Sequence, residues 1–126
     1  DLRMSRGLGD VYKRQEPSYQ AGLALFGKLQ KVGATAVIAG DDELAVGILD
    51  GALDKGVKVP EDFEIISSNN TKLTEMTRPQ LTSIDQPLYD IGAVAMRLLT
   101  KMMNKEEIEE KTVMLGFDIL KRGSTK

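Results

Sequence analysis

Three stretches of the chain place apolar residues at the spacing of a helix. The first covers residues 16–32 and stops before Gly33, with Ser18 as its predicted N-cap. The second runs from Leu44 to a stop signal at Gly56, and the third starts near Leu88. The predicted core-facing positions are Ala21, Leu25, Phe26 and Leu29 in the first helix, Leu44, Ile48, Leu49, Ala52 and Leu53 in the second, and Leu88, Ile91, Ala95, Leu98, Leu99 and Met102 in the third.

Short apolar runs between these helices predict strands. They lie at 36–39, 63–66 and 81–84, and weaker strand candidates follow at 113–115 and 119–121. A continuous apolar run is typical of a strand covered on both faces, so we expect this of 36–39. Helices that alternate with buried strands predict an α/β domain with a mostly parallel sheet flanked by helices. The apolar side of the third helix is expected to pack on a sheet that contains the strand before it.

Composition narrows the classes of function. The 126 residues contain no cysteine and no histidine, which excludes a disulfide framework, a thiolate metal site and histidine acid–base chemistry. A net charge of −2 does not mark a nucleic-acid-binding surface. No apolar run approaches the roughly 20 residues that span a bilayer, and no secretory signal pattern is visible. We therefore expect a cytoplasmic protein.

Residues 1–15 differ from the rest of the chain. They follow neither apolar period, and they carry four cations and two anions, whereas the whole chain is acidic. One interpretation is a disordered basic arm. We favour a non-native leader, because the stretch resembles translated adapter sequence, and we assign the domain to residues 16–126.

Paired carboxylates are weak evidence for catalysis. They occur at Asp41–Asp42 and at Glu106–Glu107, but a metal site needs several oxygen ligands in a defined geometry. No nucleophile–base pair and no glycine-rich phosphate loop follow a predicted strand. The sequence therefore predicts a protein that is not an enzyme and has no cofactor or metal. We interpret the charged stretch 105–111 as a solvated surface loop.

All three predicted strands end in residues that suit a hydroxyl-rich ligand. Asp41 and Asp42 follow the first strand, Asn69 follows the second and Gln86 the third. In open α/β sheets, ligands bind beyond the carboxyl ends of the strands. The same residue types also cap helices and pair with backbone groups where no ligand binds. For any single residue we weigh the two interpretations about equally, and the convergence of three strand ends favours an effector cleft whose opposing wall lies elsewhere in the protein.

A second side of the third helix carries Asp90, Val94, Arg97 and Lys101, at steps of four, three and four residues. Arg97 and Lys101 are one turn apart, where like charges repel by about 0.2–0.5 kcal/mol. A phosphoserine of about −2 charge would replace that repulsion with two charge-assisted contacts. The alternative is that Lys101 complements the negative end of the helix dipole and that Arg97 is a solvated surface cation.

Three motifs together carry a family resemblance. They are D-x-x-A-x-G at 42–47, G-V-K-V-P-E-D at 56–62 and Q-P-x-Y-D-I-G at 86–92. In their order they resemble the C-terminal half of the effector-binding core of the lactose-repressor (LacI) family of bacterial transcription regulators, over nearly all of 18–126. The resemblance implies a subdomain like the type I periplasmic binding proteins, an upstream helix-turn-helix headpiece that binds DNA, and a homodimer.

Within that family, residues 89–101 are most similar to the branch that mediates carbon catabolite repression. Its corepressor is the phosphocarrier HPr, phosphorylated on a serine. The resemblance implies that Tyr89, Asp90, Val94, Arg97 and Lys101 face HPr, and that Arg97 and Lys101 meet its phosphate.

The chain departs from the family pattern at the end of its second predicted strand. Many members carry an aspartate that grips the effector where this chain has Asn69. An amide lacks the charge-assisted strength of a carboxylate, which argues against tight binding of a small effector such as a phosphosugar. The departure fits a regulator that depends on a protein corepressor. The alternative function is that of a sugar-binding receptor of a transport system with the same fold.

Overall fold

A computed structural model describes residues 17–126, in which four helices alternate with four strands. The helices are α1 (Pro17–Lys31), α2 (Asp42–Asp54), α3 (Leu73–Met76) and α4 (Leu88–Met103), and the strands are β1 (Ala36–Ile38), β2 (Glu64–Ser68), β3 (Thr82–Asp85) and β4 (Asp118–Leu120). The prediction of a leader over 1–15 lies outside the described residues.

The four strands form one sheet in the order β1-β2-β3-β4. Strand β2 pairs in parallel with both β1 and β3, and β4 runs antiparallel to β3, with Ile84 opposite Ile119. The predicted α/β class with a mostly parallel sheet is confirmed. Of the two strand candidates near the C-terminus, 119–121 corresponds to β4, whereas 113–115 forms no strand.

The core lies between the sheet and helix α2, and α1 packs on α2 beside it. Phe26 of α1 and Phe63, which precedes β2, meet edge to face with 5.3 Å between ring centroids. Ile48 and Ile65 are fully buried in the same cluster. Burying such side chains contributes about 1.5–3 kcal/mol each. This packing fixes α2 against β2, and therefore fixes where the loop before α2 lies.

Tyr19 on α1 adds a polar link to α2. Its hydroxyl donates to Asp50 Oδ2 at 2.6 Å. That hydrogen bond is the main reason why the pKa of Tyr19 is raised above its ordinary value.

The C-terminal residues return to the middle of the sheet. Ser124 is fully buried, and its hydroxyl donates to Ile65 O at 2.5 Å and accepts from Thr82 N at 2.8 Å. The Ser124 hydroxyl therefore gives a hydrogen-bond partner to one backbone carbonyl of β2 and one backbone N–H of β3. Chain segments 42 or more residues apart are joined by one small side chain.

Several local expectations about α1 and β1 are wrong. Ser18 lies inside α1 rather than at its N-cap, because the helix already begins at Pro17, a residue suited to the first helical turn. Ala21 is exposed. The strand at 36–39 is not covered on both faces: β1 is an edge strand, and the Ile38 side chain is 69% exposed.

The expected packing of the long helix is also wrong. No residue of α4 is buried, and Leu88, Leu99 and Met102 of its apolar stripe are each 47–62% exposed. Helix α4 follows the carboxyl end of β3, and Ile91, Ala95 and Leu98 of its stripe line hollows with residues of 113–117 rather than joining the core. The amphipathic spacing correctly predicted the helix, but it did not identify the surface that the helix covers.

Candidate functional site

The loop at the carboxyl end of β1 holds two carboxylates with different surroundings. Asp41 is the N-cap of α2, and its Oδ1 accepts the Leu44 N–H at 2.7 Å. Asp42 is 3% exposed, and its Oδ2 accepts the Thr71 N–H at 2.7 Å. The second oxygen of Asp42 has no hydrogen-bond partner within residues 17–126. An unpaired buried acceptor costs about 1–3 kcal/mol, so this oxygen is the least satisfied polar atom at this end of the sheet within residues 17–126.

The other two predicted cleft residues contact each other. Gln86 Nε2 donates to Asn69 Oδ1 at 3.2 Å, so the ends of β2 and β3 are joined. The Asn69 backbone has φ 144°, a region that few residues other than glycine adopt. Since Asp42 holds Thr71 in the same loop, the structure brings all three strand ends to one edge of the sheet.

Two further residues hold this edge in place: Asn70, at the end of β2, and Arg122, which was not among the predicted cleft residues. Asn70 Nδ2 donates to Asp85 Oδ1 at 3.1 Å, and its Oδ1 accepts from Arg122 Nη2 at 2.8 Å. The Arg122 side chain is only 13% exposed. It lies 52 residues from Asn70 in sequence, so no local pattern could have indicated the contact.

The five residues assigned to a partner surface lie on α4. We call them the outer surface of α4: Tyr89, Asp90, Val94, Arg97 and Lys101. Tyr89 is 88% exposed, and Asp90, Arg97 and Lys101 are also exposed. Val94 is half-buried and lines an apolar hollow with Leu98 and Val113, at the border of the charged part.

Arg97 and Lys101 share one cavity of about 420 Å³. Within residues 17–126, the single ion pair under 4.0 Å joins Arg122 and Glu75, so neither α4 cation is locked to a carboxylate there. Two adjacent exposed cations can take an anion with two or more oxygen acceptors, and a guanidinium can do so with two parallel hydrogen bonds.

The described residues offer little to a metal ion. Over 17–126, no group of three or more acidic side chains is placed to hold one. In the same part of the chain, no helix is long and apolar enough to cross a membrane.

Comparison with known proteins gives a consistent result. Residues 7–125 match the family model of the periplasmic binding protein-like domain. The chain is 56% identical over 118 residues to catabolite control protein A of Streptococcus mutans, which covers 94% of this chain and 35% of that protein. It is 59% identical over 109 residues to catabolite control protein A of Staphylococcus epidermidis, which covers 86% of this chain and 33% of that protein. The chain thus spans about a third of the length of these relatives.

Solved structures agree with these relatives. The transcription regulator CcpA of Lactococcus lactis superposes with a TM-score of 0.82 at 55% identity, over 86% of this chain and 40% of that one. A LacI family transcriptional regulator from Enterococcus faecium, solved with bound ribose, superposes with a TM-score of 0.74 at 34% identity, over 85% of this chain and 40% of that one. Both solved structures are those of transcription regulators.

Proposed function

This chain belongs to the periplasmic binding protein-like domain family in its LacI-type regulator branch, and on that premise we propose that it is part of a repressor that mediates carbon catabolite control with serine-phosphorylated HPr as its corepressor. The observation that carries the proposal is the pair Arg97 and Lys101. Both are exposed on the same side of α4, border one cavity and lack a carboxylate partner within residues 17–126.

The chemistry of that surface suits a phosphoserine. The Arg97 guanidinium supplies a planar fork that matches two phosphate oxygens, and the Lys101 ammonium supplies a point charge one turn away. Tyr89 adds a large exposed ring for contact with the partner around the phosphate. Each charge-assisted hydrogen bond contributes about 1.5–3 kcal/mol, so the phosphate would decide between modified and unmodified partner.

The proposal extends to the rest of the regulator. The complete protein acts in the cytoplasm as a homodimer and contacts DNA through a helix-turn-helix headpiece upstream of this chain. The edge of the sheet at Asp42 and Asn69 is one wall of the effector cleft, and a second lobe supplies the other. The alternative, a sugar receptor of a transport system, would require a signal peptide in place of the headpiece.

The first test is the charge reversal Arg97→Glu in the full-length protein. Binding of serine-phosphorylated HPr is expected to weaken by about tenfold or more, because a carboxylate would repel the phosphate that the guanidinium holds. Calorimetric titration or biolayer interferometry measures the dissociation constant.

The matched control is Lys58→Glu. Lys58 is exposed in the loop before β2, at the end of the sheet opposite to α4, and its reversal changes the net charge by the same amount. This variant should bind like the wild type. Equal affinity of Arg97→Glu and wild type would remove the corepressor assignment.

The cleft supports a second, weaker activity. We infer that it takes a hydroxyl-rich effector at the strand ends through Asn69 and Gln86, and that the Asn69 amide contributes less than a carboxylate would. Asn69→Asp keeps the oxygen that accepts from Gln86 and adds charge, so affinity for ribose or a phosphate-free sugar should rise about threefold to tenfold. Titration of both proteins measures this, with Asn104→Asp at the end of α4 as the control. If Asn69→Asp bound neither ribose nor any other phosphate-free sugar tested more tightly than the wild type, the assignment of this edge as an effector site would be wrong.

A further inference from the structure

The end of α4 turns the chain back on itself. Lys105 has φ 57°, its N–H donates to Met102 O at 3.1 Å, and the Glu106 N–H donates to Lys101 O at 3.0 Å. These two backbone bonds are those of a Schellman turn, here with a lysine at the left-handed position where glycine is usual. The turn directs the acidic stretch that follows alongside the last turns of α4 instead of away from them.

The acidic stretch reaches the two cations of the outer surface. Glu107, Glu109 and Glu110 line the same cavity as Arg97 and Lys101. None of the three carboxylates comes within 4.0 Å of either cation in residues 17–126, so no ion pair is formed. Three negative charges around two positive ones give the cavity a local charge of −1 before any partner arrives. The sequence alone predicts a solvated loop here, and the structure places that loop beside the two cations.

We propose that Glu107, Glu109 and Glu110 act as a built-in competitor: they compete with the partner's phosphate for Arg97 and Lys101. The inference rests on the proposed function and adds a determinant of its specificity. While the partner is absent, the carboxylates lower the positive potential at the two cations. A phosphoserine of about −2 charge gains enough from both cations to displace them, whereas a serine hydroxyl or a single carboxylate gains less. The acidic stretch therefore weakens the binding of any anion at the two cations, and a dianionic phosphate most of all, because the repulsion grows with the charge of the ligand.

The size of the effect follows from exposure. All five side chains are exposed, so each carboxylate–cation interaction is weak and is screened by salt. Three such terms together would change an affinity several-fold, and the change would shrink as the Debye length falls from about 10 Å at 0.1 M salt to about 3 Å at 1 M.

The test is the variant E107Q/E109Q/E110Q in the full-length protein, with serine-phosphorylated and unmodified HPr as the probes. Glutamine keeps the size of each side chain and removes its charge. We expect the affinity for the phosphorylated protein to rise about threefold to tenfold at about 0.1 M salt, and the gain to disappear near 1 M. The preference for phosphorylated over unmodified HPr should rise as well, because an unmodified serine hydroxyl gains little from the two cations. The control E43Q/D54N/E61Q removes three exposed acids of α2 and the loop after it, and should give no comparable gain.

Combining the three glutamines with Arg97→Glu tests whether the acids act through the two cations. In an Arg97→Glu background the three glutamines should give a smaller gain, because one of the two groups that the acids mask is gone. Unchanged affinity, or the same gain in the control, would overturn the inference. Weaker binding would overturn it too, and would mean that the acids contact basic groups of the partner.

The experiments distinguish failure of the competitor role from failure of the proposed function. If the wild type binds phosphorylated HPr and Arg97→Glu weakens it, but the glutamines leave binding unchanged, only the competitor role falls. If the wild type shows no preference for the phosphorylated protein, the proposed function falls, and the competitor role falls with it.

Discussion

Replacing Gly47 by alanine is expected to lower the free energy of unfolding by about 3 kcal/mol or more. Helices α1 and α2 cross at Gly22 and Gly47. A Cβ on Gly47 would overlap the Tyr19 carbonyl oxygen and lie 3.0 Å from Gly22 Cα. Both neighbours are backbone, which cannot rotate away, so the helices would have to separate and loosen the core around Phe26.

The matched control is the same substitution on another helix. A Cβ on Gly92 of α4 would meet nothing within 4 Å. Alanine there should leave stability unchanged or raise it, since alanine is favoured over glycine in a helix by about 0.5–1 kcal/mol. Urea unfolding followed by circular dichroism measures both variants. If Gly47→Ala unfolded at the wild-type urea midpoint, the close crossing of α1 and α2 would be wrong.

Arg122→Ala is expected to lower the free energy of unfolding by about 3–5 kcal/mol and to make the loop at 69–71 more mobile. The guanidinium donates to Leu81 O at 2.9 Å, to Thr74 Oγ1 at 3.2 Å and to Asn70 Oδ1 at 2.8 Å. It also pairs with Glu75 Oε1 at 3.4 Å, but that carboxylate is 63% exposed and contributes little. Removing the guanidinium leaves partly buried acceptors in three chain segments without their donor.

Two comparisons make this result specific. Lys121→Ala removes the neighbouring exposed cation and should change the unfolding midpoint little, as most surface substitutions do. Arg122→Lys should recover only part of the loss, because an ammonium cannot reproduce the fork that spans Leu81 and Asn70. Amide hydrogen exchange at 69–71 should speed up in Arg122→Ala. Unchanged exchange there would mean that Arg122 does not position the cleft edge.

Local patterns predicted most of the elements because each pattern depends on neighbouring residues. Gly33 and Gly56, both at positive φ, follow the ends of α1 and α2 as expected. The motif D-x-x-A-x-G was quoted for its family resemblance, and the structure assigns it physical roles: Asp42 anchors Thr71 and Gly47 allows α1 to approach α2. The resemblance to the LacI family is likewise confirmed by the relatives and by the matching structures.

Contacts between distant segments could not be read from such patterns. The amphipathic spacing of α4 indicates that the helix has an apolar side. It does not indicate which surface covers that side, and the predicted packing on the sheet was wrong. Arg122, Ser124 and the acidic stretch at 107–110 lie in segments without regular spacing. Their partners are fixed by how the chain returns to the sheet and by the turn at Lys105.

By itself, the sequence determined the order of helices and strands, the mostly parallel sheet and the family, since these depend on spacing and motifs within short stretches. Only the tertiary structure decided that one oxygen of Asp42 stays unpaired, that Arg122 holds the cleft edge, and that three glutamates lie beside Arg97 and Lys101. The physical reason is that burial, hydrogen-bond satisfaction and local potential depend on atoms that meet in space, and folding joins positions as far apart as Ser124 and Ile65, 59 residues along the chain.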